Sequence, residues 1–273
     1  MAFKSEGLGH AFNGKAALVT GAGSGIGRAT ALAFAEAGAN VLAADISSEG
    51  AAETVAMIAE AGGNAVPFAV DVASSADVAA MVAHNIRHFG RLDYAFNNAG
   101  ISGGRPGLDD FDEALYDRVM AINAKGPLLG MKYQIPEMLK TGGGAIVNMA
   151  SVAGLTGVGA FAYTASKHAV IGMPTAAAIR YAARNIRINA VCPGLVDTPM
   201  VARAAANNVA AASPDINPVG RAAAPHEIAA AVLWLCSDQA AFVVGHPLVV
   251  DGGMLAGCHY VVPFRDNARR DCA

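Results

Sequence analysis

The sequence alternates short apolar runs with longer amphipathic stretches, and this alternation constrains the fold more than any other feature. The apolar runs are continuous rather than alternating in polarity, which is typical of strands that helices cover on both faces. They are AALVT (16–20), NVLAAD (40–45), AVPFAVDV (65–72), LDYAFNNAG (92–100), GAIVNMAS (144–151), IRINAVCPG (186–194) and PLVVDGG (247–253).

The stretches between these runs have helical periodicity. In residues 75–89, one helical face carries Val78, Met81, Val82, Ile86 and Phe89. Either Ser74 or Ser75 can cap that helix. The alternation therefore predicts an α/β fold: one doubly wound, Rossmann-type domain over residues 1–273, with about seven parallel strands and helices on both faces.

Two segments do not follow the regular pattern. Residues 195–222 contain Pro199, Pro214 and Pro218 and have little periodicity, so we predict a substrate lid there. Residues 254–273 form a C-terminal extension that ends in a polar tail.

Composition excludes several classes of function. The net charge is -3, so nothing indicates a nucleic-acid partner. The four cysteines form no CxxC pair, which argues against a zinc or redox motif and favours a cytoplasmic setting. The uncharged stretch 141–166 is long enough to span a bilayer, but its glycines favour a strand and loop, so no membrane partner is expected. His84 and His88 are predicted to lie on a solvated helix face rather than in a metal site.

A glycine-rich turn follows the first apolar run. In TGAGSGIGRA (20–29), Gly21, Gly25 and Gly27 open a helix, where backbone amides can bind a pyrophosphate; a simple tight turn is the alternative. Asp45 ends the second run and can bind ribose hydroxyls, or it can cap the next helix. A carboxylate there repels a 2'-phosphate, so NAD (NADH) is preferred over NADP.

Tyr163 and Lys167 lie four residues apart, on one side of a predicted helix. A free phenol is mostly protonated at neutral pH, and a nearby ammonium makes its deprotonation easier. Ser151 ends the fifth run at the edge where ligands bind in open α/β sheets. Asn123 precedes Gly126-Pro127. Taken singly, each of these residues also has a structural explanation: a solvated helix face, a turn cap or a helix irregularity.

These motifs, with NNAG (97–100), Thr198 and VDGG (250–253), make the chain similar to the short-chain dehydrogenase/reductase family over about residues 12–253. The resemblance implies that Tyr163 exchanges a proton with the substrate oxygen, Ser151 hydrogen-bonds that oxygen and Asn123 holds a water linked to Lys167. It also implies that Tyr163 and Lys167 contact the cofactor together with Gly21, Ser24, Gly25, Ile26, Gly27, Asp45, Asp71, Val72, Asn98, Ala99, Gly100, Pro193, Gly194, Val196 and Thr198.

The predicted substrate pocket is mostly apolar, with no basic residue evident. Its residues are Ser102, Gly103, Val152, Ala153, Leu155, Leu195 and Met200. We therefore expect hydride transfer between NAD(H) and a secondary alcohol or ketone that is small to medium and apolar or cyclic.

Two alternatives remain open. Reduction of 3-oxoacyl groups on acyl carrier protein usually goes with NADP and with basic residues on the helix after Asn123, where this chain has Leu129. A non-catalytic dinucleotide-binding regulatory module is the other alternative.

The resemblance further implies a homotetramer, in which the C-terminal extension can cross a subunit boundary. Pro174 departs from the family pattern, because it lacks the amide that would bond to Val170. A helix kink or restart near residues 172–174 is therefore predicted.

Overall fold

The computed structural model describes residues 12–104, 108–206 and 217–257. In this part of the chain, seven parallel strands form one sheet in the order β3-β2-β1-β4-β5-β6-β7, which confirms the predicted fold class. The strands are β1 (Ala16–Thr20), β2 (Asn40–Asp45), β3 (Asn64–Ala69), β4 (Tyr94–Asn97), β5 (Gly144–Met149), β6 (Ile186–Pro193) and β7 (Pro247–Val250).

The helices are α1 (Gly25–Glu36), α2 (Ser48–Glu60), α3 (Ser75–Phe89), α4 (Glu113–Met120), α5 (Gly126–Lys140), α6 (Phe161–Tyr181), α7 (Pro199–Ala206), α8 (Pro225–Cys236) and α9 (Met254–Gly257). Helices α1 to α8 lie in the connections between successive strands, as expected for right-handed crossovers, and α9 follows β7. Ser74 caps α3 by accepting a hydrogen bond from the amide of Asp77, and Gly90 ends that helix in the left-handed conformation.

Two apolar cores lie on the two faces of the sheet. On one face, Phe34 of α1 and Ile228 of α8 are fully buried in one cluster. On the other face, Met81 of α3 and Met138 of α5 are fully buried in a second cluster. Burial of a large apolar side chain stabilises a fold by about 1.5–3 kcal/mol, so the packing in these two cores stabilises the attachment of the helices to both faces of the sheet. The two cores do not cover the carboxyl ends of the strands, so a binding site can form among the loops there.

The connection between α4 and α5 is a π-helical turn over Ala121–Lys125. Pro127 lies in the first turn of α5, where its missing amide is tolerated. The wide turn directs Asn123, which is 1% exposed, toward the interior. Single π-turns inside helices occur mostly at functional sites.

The predicted restart near residues 172–174 is wrong, because α6 continues from Phe161 to Tyr181 with Pro174 inside it. Val170, Pro174 and Ala178 are spaced by four residues and are all buried, so they form one stripe against the sheet. The proline removes one backbone hydrogen bond, but the packing of this stripe keeps the helix in one piece.

Parts of two predicted segments lie outside the described residues. The lid (195–222) is described at 195–206 and 217–222, and the C-terminal extension (254–273) is described up to Gly257. Among the residues that the structure describes, no helix is long and apolar enough to cross a membrane.

Candidate active site

A cavity of about 530 Å³ opens at the carboxyl ends of the strands. It lies beside the neighbouring strands β1 and β4, where the direction of the strand order reverses. Ligands of open α/β sheets bind at this switch point. Every predicted cofactor-binding residue except Gly27 lines the cavity: Gly21, Ser24, Gly25, Ile26, Asp45, Asp71, Val72, Asn98, Ala99, Gly100, Tyr163, Lys167, Pro193, Gly194, Val196 and Thr198.

The glycine-rich turn needs glycine for two different reasons. Gly25 has a φ of +53°, a conformation that other residues rarely adopt. At Gly27, a Cβ atom would lie 2.6 Å from the side-chain nitrogen of Asn98 and also collide with the carbonyl of Gly21. Gly27 therefore supports the turn from behind, which is why it does not line the cavity.

The start of α1 fits the pyrophosphate of a dinucleotide. Ser24 occupies the N-cap position, but its side chain makes no capping hydrogen bond, and the first turn has no acidic residue. The first amides of this 12-residue helix are thus available to an anion, which the helix dipole also favours. The residues present therefore fit the cofactor that the family resemblance implies.

Asp45 ties the glycine-rich turn to the start of α2. One carboxylate oxygen accepts a hydrogen bond from the amide of Gly23 at 2.8 Å, and the other accepts one from the amide of Ser47 at 2.9 Å. Ser47, rather than Asp45, is the N-cap residue of α2. Each oxygen retains a lone pair, so the carboxylate can also accept hydrogen bonds from ribose hydroxyls.

Ser151, Tyr163 and Lys167 all line this cavity. Ser151 lies two residues after the end of β5 and accepts a hydrogen bond from the amide of Ala153 at 3.2 Å. The Lys167 ammonium donates to the carbonyl of Met149 at 2.7 Å and lies 5.4 Å from the centroid of the Tyr163 ring. The two side chains predicted to act together are therefore held one turn apart on α6, with the lysine anchored to the end of β5.

Burial is the largest influence on the pKa values of Tyr163 and Lys167. It raises the pKa of the Tyr163 phenol, while a hydrogen bond with Ser151 acts in the opposite direction. It lowers the pKa of Lys167 to about 8, and the neighbouring Cys192 acts in the opposite direction. At neutral pH the phenol is therefore protonated and the lysine is still mostly charged. The expectation that Lys167 lowers the resting pKa of the phenol does not match this balance, because the desolvation cost exceeds the favourable effects.

Asn123 lies behind the cavity wall and does not line the cavity. Its side-chain oxygen accepts from the amide of Ile101 at 2.8 Å, and its side-chain nitrogen donates to the carbonyl of Ile101 at 2.9 Å. The second hydrogen on that nitrogen is directed to the Ser166 hydroxyl at 3.2 Å. Both donor hydrogens of the amide are thus used within the protein.

Of the predicted substrate-pocket residues, only Met200 lines this cavity. Val152 and Ala153 are buried beneath the surface, and Leu155 is exposed. Ser102, Gly103 and Leu195 are also outside the cavity wall. The loops that carry these residues turn away after the strand ends, a geometry that sequence position does not reveal.

Other residues of the cavity wall were not predicted. They include Ile101, Arg118, Ala121, Ile122, Val201 and Arg203. Arg118 precedes Ala121 and Ile122 by three and four residues, so helical spacing is a signal that could have placed it. Among the described residues, two arginines line the wall of this cavity, and neither belongs to the predicted substrate pocket.

His84 and His88 lie side by side on one face of α3. Their rings are 4.1 Å apart on α3, and His84 also contacts the ring of Phe68. Within the described ranges, no group of three or more His, Cys, Asp or Glu side chains is arranged to hold a metal ion.

Comparison with known proteins matches most of the chain. A family model described as enoyl-(acyl carrier protein) reductase matches residues 21–255. The cyclohexanol dehydrogenase of Acinetobacter sp. (strain SE19) is 42% identical over 242 residues, which cover 88% of this chain and 95% of that protein. The cis-4-hydroxycyclohexanecarboxylate dehydrogenase of Sinomonas cyclohexanicum is 42% identical over 250 residues, 91% of this chain and 100% of that protein.

A solved structure is also similar over nearly the full length. The crystal structure of levodione reductase superimposes with a TM-score of 0.86 at 39% identity, covering 90% of this chain and 99% of that chain. The two dehydrogenases are named for a cyclohexane ring that carries a hydroxyl group, and the third protein is named as a reductase.

Proposed function

Because the chain belongs to the short-chain dehydrogenase/reductase family, we propose that it transfers hydride between NAD(H) and a cyclic secondary alcohol or its ketone. The observation that carries this proposal is the meeting of Ser151, Tyr163 and Lys167 in one cavity with the uncapped start of α1. A proton-transfer group, an oxygen-binding group and a dinucleotide site are the three parts that such a reaction requires.

Each side chain has a distinct part in this proposal. When bound, the nicotinamide cofactor supplies or accepts the hydride. During ketone reduction, the Tyr163 hydroxyl gives its proton to the substrate oxygen, and during alcohol oxidation the phenolate takes it back. Ser151 donates a hydrogen bond to the same oxygen. The Lys167 ammonium stabilises the phenolate that forms when the proton leaves.

The choice of a cyclic substrate is supported by the relatives and by the cavity wall. The relatives named above act, by their names, on cyclohexanol and on a hydroxycyclohexane carboxylate. Ile101, Ile122 and Met200 supply apolar surface in the cavity. Arg118 and Arg203 supply positive charge in the same wall, so a neutral ring and a carboxylated ring must be tested side by side.

We expect the protein to oxidise cyclohexanol with NAD⁺ and to reduce cyclohexanone with NADH, followed through the absorbance of NADH. The variants Arg118→Gln and Arg203→Gln should retain activity on these neutral substrates within about threefold, because the ring carries no charge for an arginine to bind. A rate confined to 4-hydroxycyclohexanecarboxylate and lost in either variant would show instead that the substrate is an anion. Activity on neither ring would contradict the proposal.

The preference for NAD is proposed from the surroundings of Asp45. Its carboxylate lines the cavity where the family resemblance expects the adenosine ribose, and the nearby Arg28 is already bound to Glu53 at 2.5 Å and to the Thr54 hydroxyl at 3.1 Å. The arginines of the cavity wall belong to α4 and α7, not to the turn that carries Asp45. A 2'-phosphate would therefore meet a negative charge, with no free cation beside it in the part of the chain that the structure describes.

Asp45→Asn should lower the ratio of NADH to NADPH affinity by roughly 30-fold, since about 2 kcal/mol of charge repulsion disappears. The amide still accepts a hydrogen bond from Gly23 or Ser47, so the turn should persist. Affinity is measured by titrating the fluorescence of each reduced cofactor. Asp71→Asn is the matched control, because Asp71 is a second acid in the cavity wall, and it should leave the ratio unchanged. Equal affinity of the unmodified protein for both cofactors would refute the preference.

One argument against 3-oxoacyl reduction does not hold. Leu129, which stands where a basic residue was expected for that activity, is 7% exposed and packs in the apolar core. It therefore says nothing about a surface for acyl carrier protein. The non-catalytic alternative predicts cofactor binding without turnover on any ring. A homotetramer and a cytoplasmic location remain our proposals from the family resemblance, and gel filtration with light scattering tests the first.

A further inference from the structure

Ser166 lies between Tyr163 and Lys167 on α6 and is fully buried. Its hydroxyl donates a hydrogen bond to the carbonyl of Tyr163 at 2.7 Å. A helical serine often bonds to the carbonyl three residues back, so this contact alone is ordinary. What is unusual is the second bond: the same oxygen accepts from the side chain of Asn123, 43 residues away in the sequence.

Asn123 continues this connection to the cavity wall. Its amide makes two hydrogen bonds with the backbone of Ile101, one as acceptor and one as donor. Ile101 lines the cavity from the loop after β4, and Tyr163 lines it from α6. A chain of four hydrogen bonds therefore runs from the loop after β4, through Asn123 and Ser166, to the peptide group of Tyr163.

We propose that Ser166 is a positioning residue, which sets the place of the Tyr163 hydroxyl relative to the loop that borders the substrate. This inference rests on the proposed function. The Tyr163 carbonyl is the α-helical acceptor for the Lys167 amide, so Ser166 acts on the peptide that separates the two side chains of the proton-transfer pair. Without the hydroxyl, one hydrogen of the Asn123 amide loses its partner in a buried place, and loop and helix can shift independently.

A shift of this kind has a specific kinetic signature. Misplacement of a reacting group by about 1 Å can cost up to about 100-fold in rate, and the loss falls on kcat when binding is unaffected. The bond between Ser151 and Tyr163 lowers the pKa of the phenol, so a looser placement of Tyr163 should move the pH profile of alcohol oxidation upward. A merely structural role of Ser166 would lower the amount of folded protein without moving that profile.

The test compares Ser166→Ala with Thr164→Val. Thr164 is on the same helical turn, and its buried hydroxyl has no hydrogen-bond partner among the described residues, so its removal is a matched control. For Ser166→Ala we expect about a tenfold loss of kcat on cyclohexanol, KM and the dissociation constant of NADH within about twofold, and an upward shift of the pH profile. Thr164→Val should leave kcat, KM, the dissociation constant of NADH and the pH profile unchanged. Ser166→Cys, which keeps a weak donor of similar size, should recover part of the rate.

Added to Asn123→Ala, the Ser166→Ala change should cost less than about twofold further, because the link is already broken. The inference is overturned if Ser166→Ala keeps the original kcat and pH profile, or if Thr164→Val loses as much. Should Ser166→Ala not fold, an unaltered kcat and pH profile in Ser166→Cys overturns it equally. An unmodified protein without turnover on any ring contradicts the proposed function and this inference with it.

Discussion

Replacing Tyr163 with Phe should lower turnover of cyclohexanol by about 10³-fold, because the loss of a positioned group that accepts the substrate's proton typically costs 10²–10⁴-fold. The hydroxyl is the only group removed, so the apolar contacts of the ring remain. The dissociation constant of NADH should stay within about threefold of its original value, since the start of α1 and Asp45 are untouched. Stopped-flow or steady-state absorbance gives the rate, and NADH fluorescence gives the affinity.

Tyr133→Phe is the matched control for this change. Tyr133 lies on α5, and its hydroxyl shares a hydrogen bond with Ser75 at 2.8 Å, away from the cavity. Its loss should lower the melting temperature at most slightly and leave turnover unchanged. If Tyr163→Phe retained most of its rate, the proton donor would have to be another group. A large loss in both variants would point to damage of the fold rather than of the chemistry.

Lys167→Met should lower the rate of cyclohexanone reduction by about 10²-fold, through loss of the charge that stabilises the Tyr163 phenolate. The ammonium lies 5.4 Å from the centroid of the tyrosine ring. At an effective dielectric constant of about 20, a unit charge at that separation contributes about 3 kcal/mol, which corresponds to roughly a 100-fold change in rate. This attraction exists only once the phenolate has formed, so it favours the transition state over the ground state.

The pH dependence of reduction gives a second readout for the same residue. Burial lowers the pKa of Lys167 to about 8, so its positive charge is present below this value and is lost as the pH rises through it. The kcat/KM for cyclohexanone reduction should therefore fall as the pH passes about 8. The Lys167→Met variant should lack this fall, because it has no charge to lose. A fall at the same pH in the variant would assign it to another group.

Lys132→Met serves as the control for Lys167→Met. Lys132 also lies over a tyrosine ring, 4.9 Å from the centroid of Tyr133, but on the surface of α5. Its replacement should leave both turnover and the pH profile unchanged. Lys167→Met itself should fold, because removing a buried charge relieves a desolvation cost, although the carbonyl of Met149 loses its 2.7 Å hydrogen bond. Thermal melting of both variants checks this point.

The cofactor end of the site follows closely from the sequence. The glycines of the first turn and Asp45 belong to short local motifs, each at the end of a strand whose apolar run can be recognised on its own. Parallel strands bring their carboxyl ends to one edge, so a correct assignment of the strands is enough to bring these motifs together.

The substrate end of the site cannot be predicted from the sequence in this way. Val152, Ala153 and Leu155 were expected in the pocket because they follow Ser151, yet the 3-10 turn over Val152–Gly154 directs them elsewhere.

Pro174 illustrates the limit of local rules. A proline in a helix interior predicts a break, and in isolation that expectation is sound. Here the proline lies on the buried stripe with Val170 and Ala178, and the apolar contacts of that stripe compensate for one missing hydrogen bond. The outcome depends on what the helix packs against, which no window of residues around Pro174 contains.

The sequence by itself determined the α/β class, the doubly wound arrangement of about seven parallel strands, the glycine-rich turn and the four-residue spacing of Tyr163 and Lys167. These features depend on periodicity and on contacts within one turn, and such contacts are local in the chain. Only the tertiary structure decided that Arg118 and Arg203 share the cavity wall, and that Asn123 is joined to Ile101 and Ser166 rather than open to the cavity. These contacts join residues 22 and 43 positions apart, and they form only when the packing of separate elements brings buried polar groups within hydrogen-bond reach.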